Sequence, residues 1–169
     1  SSSMRVAGDM FDDSIIRFLR REKKLMIGER TAEDIKIKIG TAVIDLRKES
    51  IDVRGRDLVS GMPKTVVVTS TETRHAMAEP IGLIIDCVRN VLERTPPELA
   101  SDIIDRGIVM TGGGAMLYGL DQLITKQTSI PAHLAEDSMN CVARGTGLAL
   151  DSLALLNDHL TRAKRTGPK

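Results

Sequence analysis

The sequence predicts an α/β fold with a smaller, more antiparallel patch set into its middle. Two observations carry this. Short runs of β-branched and aliphatic residues alternate with longer stretches whose apolar residues recur at helical spacing. Three strand-like runs crowd together between Ala42 and Thr69 with turn chemistry between the last two, whereas the later ones are separated by helical patterns. No repeat at solenoid period and no low-complexity tract interrupts the alternation.

Taken in order, the first helix is expected to open near Asp9, where Asp9-Met10-Phe11-Asp12 resembles a capping box with Asp in place of Glu. Phe11, Ile15, Phe18 and Leu19 then fall on one face, with Arg17, Arg20, Arg21 and Lys23 on the other, and Gly28 ends the segment. The paired acids Asp12 and Asp13 are accounted for by the helix start. A second helix is expected with Thr31 as cap and Asp34 three residues on, running through Glu33, Lys36 and Ile39 to a stop at Gly40. Glu33 and Lys36 share a face, and as a surface ion pair they would be worth a few tenths of a kcal/mol.

Strands are expected over Ala42–Leu46, Ile51–Gly55 and Thr65–Thr69, with turns at Gly55-Arg56-Asp57 and Ser60-Gly61-Met62-Pro63. Thr69 with Glu72 caps a short helix. Pro80 opens the clearest helix, whose Ile81, Ile84, Ile85, Val88, Val91 and Leu92 form a buried stripe. Thr95-Pro96-Pro97-Glu98 marks another start, combining proline at the first helical position with a capping box.

The stretch GIVMTGGGAMLYGL, Gly107 to Leu120, then sets a short strand against three consecutive glycines, Gly112, Gly113 and Gly114. A helical pattern follows from Tyr118 towards Lys126, with Leu117, Leu120 and Leu123 inward. It is neither a P-loop nor a G-x-G-x-x-G fingerprint. A tight turn and a backbone surface open to a ligand are both compatible with it. Ile130–Ala135 reads as a strand, and a last helix starts at Asp137 or Ser138 and runs to about Asn157. Its small stretch, Ala143 to Gly147, suggests close packing on another backbone.

Composition narrows function by exclusion. Aromatic residues make up 2% (Phe11, Phe18 and Tyr118), so the core must be aliphatic and stacking on single-stranded nucleic acid is not expected. With 24 basic and 23 acidic residues interspersed, no global field steers a polyanion, and the basic tail of Arg162, Lys164, Arg165 and Lys169 reads as a solvated terminus. Cys87 and Cys141, far apart, are expected to be reduced and buried, as in a cytosolic protein. No apolar run reaches the ~20 residues that cross a bilayer, and no signal peptide opens the chain. Ser1-Ser2-Ser3 ahead of Met4 suggests a piece of a longer chain. His75, His133 and His159 stand apart, and no nucleophile elbow or metal-ligand spacing is present, so neither a catalytic nor a metal residue is assigned.

Several strings together resemble one family. SMRVAGDMFDDSII, IGERTAEDIKIKIG, VRGRDLVSGMPKTVVVTS, LERTPPELASDIIDRGIVMTGGGAMLYGLD and CVARGTGLAL are similar to MreB, the bacterial actin-like filament proteins that govern rod shape. The match covers nearly all of residues 1–157 and falls on the second of the two actin-type domains. The resemblance implies an actin-like ATPase domain with a ribonuclease H-like core. Residues 1–6 and 80–169 would form the nucleotide-facing subdomain and residues 7–79 an inserted α+β subdomain. It implies ATP as ligand, with Gly112, Gly113 and Gly114 facing the nucleotide, Met116 beside the adenine, and Glu33 and Lys36 holding the adenosine from the other side. Ala143 to Gly147 resembles the second connecting motif at the interdomain hinge.

In the family, the phosphate loops, the acid that orients the attacking water, and the membrane-touching segments lie ahead of the position of Ser1. Mg²⁺ belongs to that part, so these residues alone are expected to contact adenosine but not to hydrolyse ATP. The resemblance further implies self-association into filaments, partnership with cell-shape membrane proteins, no nucleic acid, no direct membrane insertion, and a cytoplasmic location at the inner face of the membrane. A docking or filament-binding module without a nucleotide role is the alternative. A sugar-kinase or chaperone ATPase would carry a substrate-specific insertion between Gly40 and Pro80, and none is found.

Overall fold

The structure is a computed structural model and describes residues 1–151. The expected end of the last helix at Asn157, the basic tail and His159 lie outside those residues.

Helix α1 (Gly8–Phe18) begins after Ala7 without any side-chain cap, so the expected Asp9–Asp12 box does not form. Asp12 is instead buried on the inner face beside Phe11 and Ile15. The chain continues through a π-type turn (Leu19–Lys23), and Lys24, at φ 53°, reverses it into strand β1 (Leu25–Met26). That strand replaces the helical reading up to Gly28. Two residues are too few to show a period, and Leu25 is fixed by complete burial and by pairing with a distant strand. Helix α2 (Glu29–Ile39) starts two residues ahead of Thr31 with Gly28 as its uncapped N-terminus, and stops at Gly40 as expected.

The expected strand Ala42–Leu46 is a loop. Its backbone is bonded elsewhere: the Ala42 N–H donates to the Tyr118 carbonyl at 2.8 Å, the Thr41 hydroxyl donates to the Val43 carbonyl at 2.9 Å, and Asp45 turns the chain at φ 63°. Strands β2 (Ser50–Asp57) and β3 (Pro63–Thr69) pair antiparallel from Ser50↔Thr69 to Arg56↔Pro63. Gly55-Arg56-Asp57 therefore lies inside a strand, and the turn falls at residues 58–62. With β1 on the far side of β2, the three make an antiparallel sheet.

Thr69 and Glu72 form the expected reciprocal cap on α3 (Ser70–Ala76). Helix α4 (Ala78–Glu93) starts two residues before Pro80, which is tolerated in the first turn because its missing N–H would have had no partner. Pro97 opens α5 (Pro97–Arg106), but the capping box does not form, because the Thr95 hydroxyl donates to the Val91 carbonyl of α4. Strand β4 (Ile108–Met110) runs parallel to β5 (Ala132–Leu134) through α6 (Leu120–Thr128), a β-α-β crossover. Tyr118 precedes that helix, which begins only after Gly119 at φ 75°. Helix α7 (Cys141–Asp151) starts later than Ser138, since Asp137 at φ 51° holds a turn there.

One apolar cluster joins the two sheets. Phe11, Ile15, Leu19, Ile35, Ile39, Val53 and Val68 pack around α1, α2 and the antiparallel sheet, and Met77, Ile81, Leu120 and Ile124 continue it towards β4. Only one ring, Phe11, is fully buried in it. Cys87 and Cys141 are free but only half-buried, which corrects the expectation of buried thiols; both lie beside polar groups near the surface, the Ser2 hydroxyl and the Glu136 carbonyl. The small stretch Ala143–Gly147 is exposed, and space beside Gly145 and Gly147 is open rather than filled by another backbone of the described residues.

Gly55 sits in the central strand where a Cβ would meet the Met26 carbonyl and the Leu25 and Ile27 side chains. Gly55→Ala is expected to destabilise the protein by about 1–3 kcal/mol, the range for forcing an extra methyl into a packed site. Chemical denaturation of the two proteins side by side checks this.

Candidate functional site

The start of α1, the length of α2, the turn after Gly40 and the glycine stretch enclose an open cleft of about 540 Å³. Helix α2 contributes Glu33, Lys36 and Ile37 because its other face, Ala32, Ile35 and Ile39, is committed to the core. Across from it, β4 ends and the chain winds into a single 3-10 turn (Gly113–Met116), which sets Gly113, Gly114 and Met116 at the cleft. Gly112 does not line it. It sits at φ 87° and ψ 167°, a conformation open almost only to glycine, and its N–H donates to the Ser138 carbonyl at 2.8 Å. Its part is to turn the chain so that the next two glycines face the opening.

Glu33 and Lys36 share a face as expected, but they do not pair with each other. The Lys36 ammonium reaches across to α1, where Nζ donates to Asp12 Oδ2 at 2.8 Å and to the Gly8 carbonyl at 3.4 Å. The two side chains are only 16% and 12% exposed, so this is an interior ion pair between helices rather than a surface one within a helix. The second carboxylate oxygen, Oδ1, is buried without a hydrogen-bond partner among the described residues. Burial pushes the Asp12 carboxyl above its ordinary value; Lys36 opposes that rise and the nearby Glu33 and Asp9 charges add to it. Asp12 was legible in principle. It stands three residues before Ile15 and seven before Leu19, on the apolar face, where an acid implies a partner.

Sequence reasoning also missed Arg47 and Tyr118. The Arg47 guanidinium lies 5.3 Å from the centre of the Tyr118 ring, and its Nε donates to Glu49 Oε2 at 2.9 Å. Tyr118 and Met116 are both about half exposed, at 47% and 55%, so each presents apolar surface to the cleft. No sequence signal marks Arg47, since it reaches the site only through the loop that was expected to be a strand.

The cleft thus has bare backbone on one side, apolar surface from Ile37, Met116 and Leu117, and a few convergent polar groups. It is equipped to bind and orient. His75 and His133 do not line it, and among the described residues no cluster of His, Cys, Asp or Glu could hold a metal ion.

This α/β arrangement, with a strand and glycine turn facing a helix across a cleft, is the fold of an actin-like ATPase domain. The chain belongs to the MreB/Mbl family: the family model described as MreB/Mbl protein matches residues 1–158. It is 54% identical over 153 residues to the cell shape-determining protein Mbl of Bacillus subtilis (strain 168), covering 90% of this chain and 46% of that protein. It is 48% identical over 153 residues to the cell shape-determining protein MreB of Escherichia coli (strain K12), covering 90% of this chain and 44% of the other. Among solved structures, MreB 5 of Spiroplasma citri bound to AMPPNP superimposes with a TM-score of 0.86 at 39% identity, over 94% of this chain and 47% of that one. The chain therefore spans a little under half the length of the relatives it matches.

Two expectations follow from the local geometry. Gly112→Ala forces a side chain into the strained conformation and should cost about 1–3 kcal/mol. At Gly114, where a Cβ would find only the Gly8 nitrogen at 3.9 Å, alanine should change stability by less than about 0.5 kcal/mol. Thermal and urea unfolding of the two variants distinguish them.

The Asp12 carboxyl gives a third. A carboxyl whose folded pKa is raised binds its proton more tightly in the folded state, so its contribution to stability grows as pH falls from the raised value towards the ordinary 3.8. Denaturation curves across that window should show this increment in the wild type and lack it in Asp12→Asn.

Proposed function

We propose that this chain forms the adenosine-binding wall of the nucleotide cleft in an actin-like cytoskeletal protein. The intact protein would bind ATP and assemble into filaments that organise cell-wall synthesis and cell shape. The observation that carries the reading is the meeting of Glu33 and Lys36 with Gly113, Gly114 and Met116 across one cleft, although some eighty residues separate the two groups in sequence.

The groups present suit a nucleoside. A volume of about 540 Å³ lies within the ~300–1,000 Å³ typical of small-molecule sites. Gly113 and Gly114 let a flat base approach the backbone, and Met116 and Ile37 supply apolar contact. Glu33 can accept hydrogen bonds from sugar hydroxyls and Lys36 can donate one. The similar MreB 5 of Spiroplasma citri was solved bound to AMPPNP, which supports a nucleotide here. The phosphates and Mg²⁺ belong, on this reading, to the remainder of the full-length protein, and hydrolysis with them.

The proposal includes the division into residues 1–6 and 80–169, facing the nucleotide, and an inserted unit over residues 7–79. It also includes a cytoplasmic location at the inner face of the membrane, with cell-shape membrane proteins as partners. Among the described residues no helix is long and apolar enough to cross a membrane.

In the full-length protein, Lys36→Met and Glu33→Ala should each weaken ADP binding about tenfold, a loss of about 1.4 kcal/mol. Isothermal titration measures it. Unchanged affinity in both variants would refute the nucleotide reading and favour a docking module.

A further inference from the structure

We propose that Asp12 is the positioning residue of this cleft: its carboxylate fixes the Lys36 ammonium against the start of α1 and leaves one N–H to donate to an uncharged nucleoside acceptor. The proposal rests on the reading of the cleft as a nucleoside site and adds to it which residue sets the lysine and what kind of atom the lysine reads.

An ammonium has three donors and no acceptor. Two of those on Lys36 are directed at Asp12 Oδ2, at 2.8 Å, and at the Gly8 carbonyl, at 3.4 Å. Gly8 helps by being bare, since a Cβ there would lie 3.3 Å from Nζ. One donor therefore remains for a ligand. The Asp12 contact also cancels the lysine's charge at short range. The other charged groups at the cleft are Asp9 from α1, Glu33 from α2 and Arg47 from the following loop, and Arg47 is already paired with Glu49 at 2.8 Å. Asp9, Asp12 and Glu33 outweigh the positive charge near Nζ, so this corner repels an anion and does not attract phosphate. A ring nitrogen or a sugar hydroxyl is the acceptor that suits it.

Asp12 has no second task that the geometry reveals. Among the described residues its only side-chain hydrogen bond is with Lys36, and Oδ1 is buried with no partner among them. Its effect on a ligand must then pass through the lysine.

That dependence makes the test a double-mutant cycle in the full-length protein, read by isothermal titration with adenosine and with ADP. Asp12→Asn is expected to weaken both ligands by about the same factor, five- to tenfold, because the contact involves the nucleoside they share. In a Lys36→Met background, Asp12→Asn should cost nothing further. A purely structural role for Asp12 would instead add its loss in full to that of Lys36→Met, and that result overturns the proposal. So does wild-type binding by Asp12→Asn alongside weakened binding by Lys36→Met, or a loss confined to ADP. If Lys36→Met binds normally while Glu33→Ala is weakened, the inference fails and the nucleoside reading stands; if both bind normally, both fail. Should Asp12→Asn alone unfold, the pair of Lys36→Met and Asp12→Asn/Lys36→Met still decides: equal affinities support the proposal and a weaker double variant refutes it.

Discussion

Helix α1 lies against helix α2, and where they meet, an aspartate on the apolar face of α1 and a lysine of α2 are drawn together in the interior. Removing two charges from water is costly, and their attraction offsets that cost only when the geometry is good. Here the geometry is set by the core beneath. Phe11 and Ile15 from α1 interlock with Ala32, Ile35 and Ile39 from α2, and all are essentially inaccessible. The apolar packing holds the two backbones at a fixed spacing, and the pair bridges that spacing at 2.8 Å. Fold and site are coupled through this contact, because the same lysine that joins the helices faces the cleft.

Much of the framework was legible where local chemistry and tertiary demand agree. Gly40 ends α2 with its own N–H donating to the Lys36 carbonyl, and Thr69 with Glu72 caps α3, both by bonds that need no distant partner. On Glu72, burial works against the charge, yet Lys23 and the Thr69 cap outweigh it and hold the carboxyl below its ordinary range. The misreadings share one cause, the long-range partner. Ala42–Leu46 has strand composition, but its leading N–H is taken by Tyr118, seventy-six residues on. Thr95 has capping chemistry, but its hydroxyl is already bound to the preceding helix. In β1, two residues became a strand only because Arg56 and Asp57 lie alongside.

The site was legible in a different manner. Nothing in the spacing of Glu33 and Lys36 distinguished a ligand wall from a solvated helix face; the family resemblance brought them to the glycines, and the structure places both groups at one opening. The glycine stretch proved to be divided in labour. Gly112 supplies the backbone conformation, and Gly113 and Gly114 supply the bare surface. Asp12 went unnoticed because its position near a helix start offered an easier explanation than its place on the apolar face.

The loop after α2 has a mechanical effect on all of this. Through the bond from Ala42 to Tyr118, and through the close approach of Leu46 and Val43 to Gly119, it stitches the helical wall to the glycine wall at the foot of the cleft. Two walls joined at the base and free at the rim behave like tweezers with a welded heel. They have little freedom to slide past one another, so a ligand entering from the rim meets a cleft that is already formed. Little conformational freedom is then left to lose on binding, and a modest set of contacts can hold a ligand firmly.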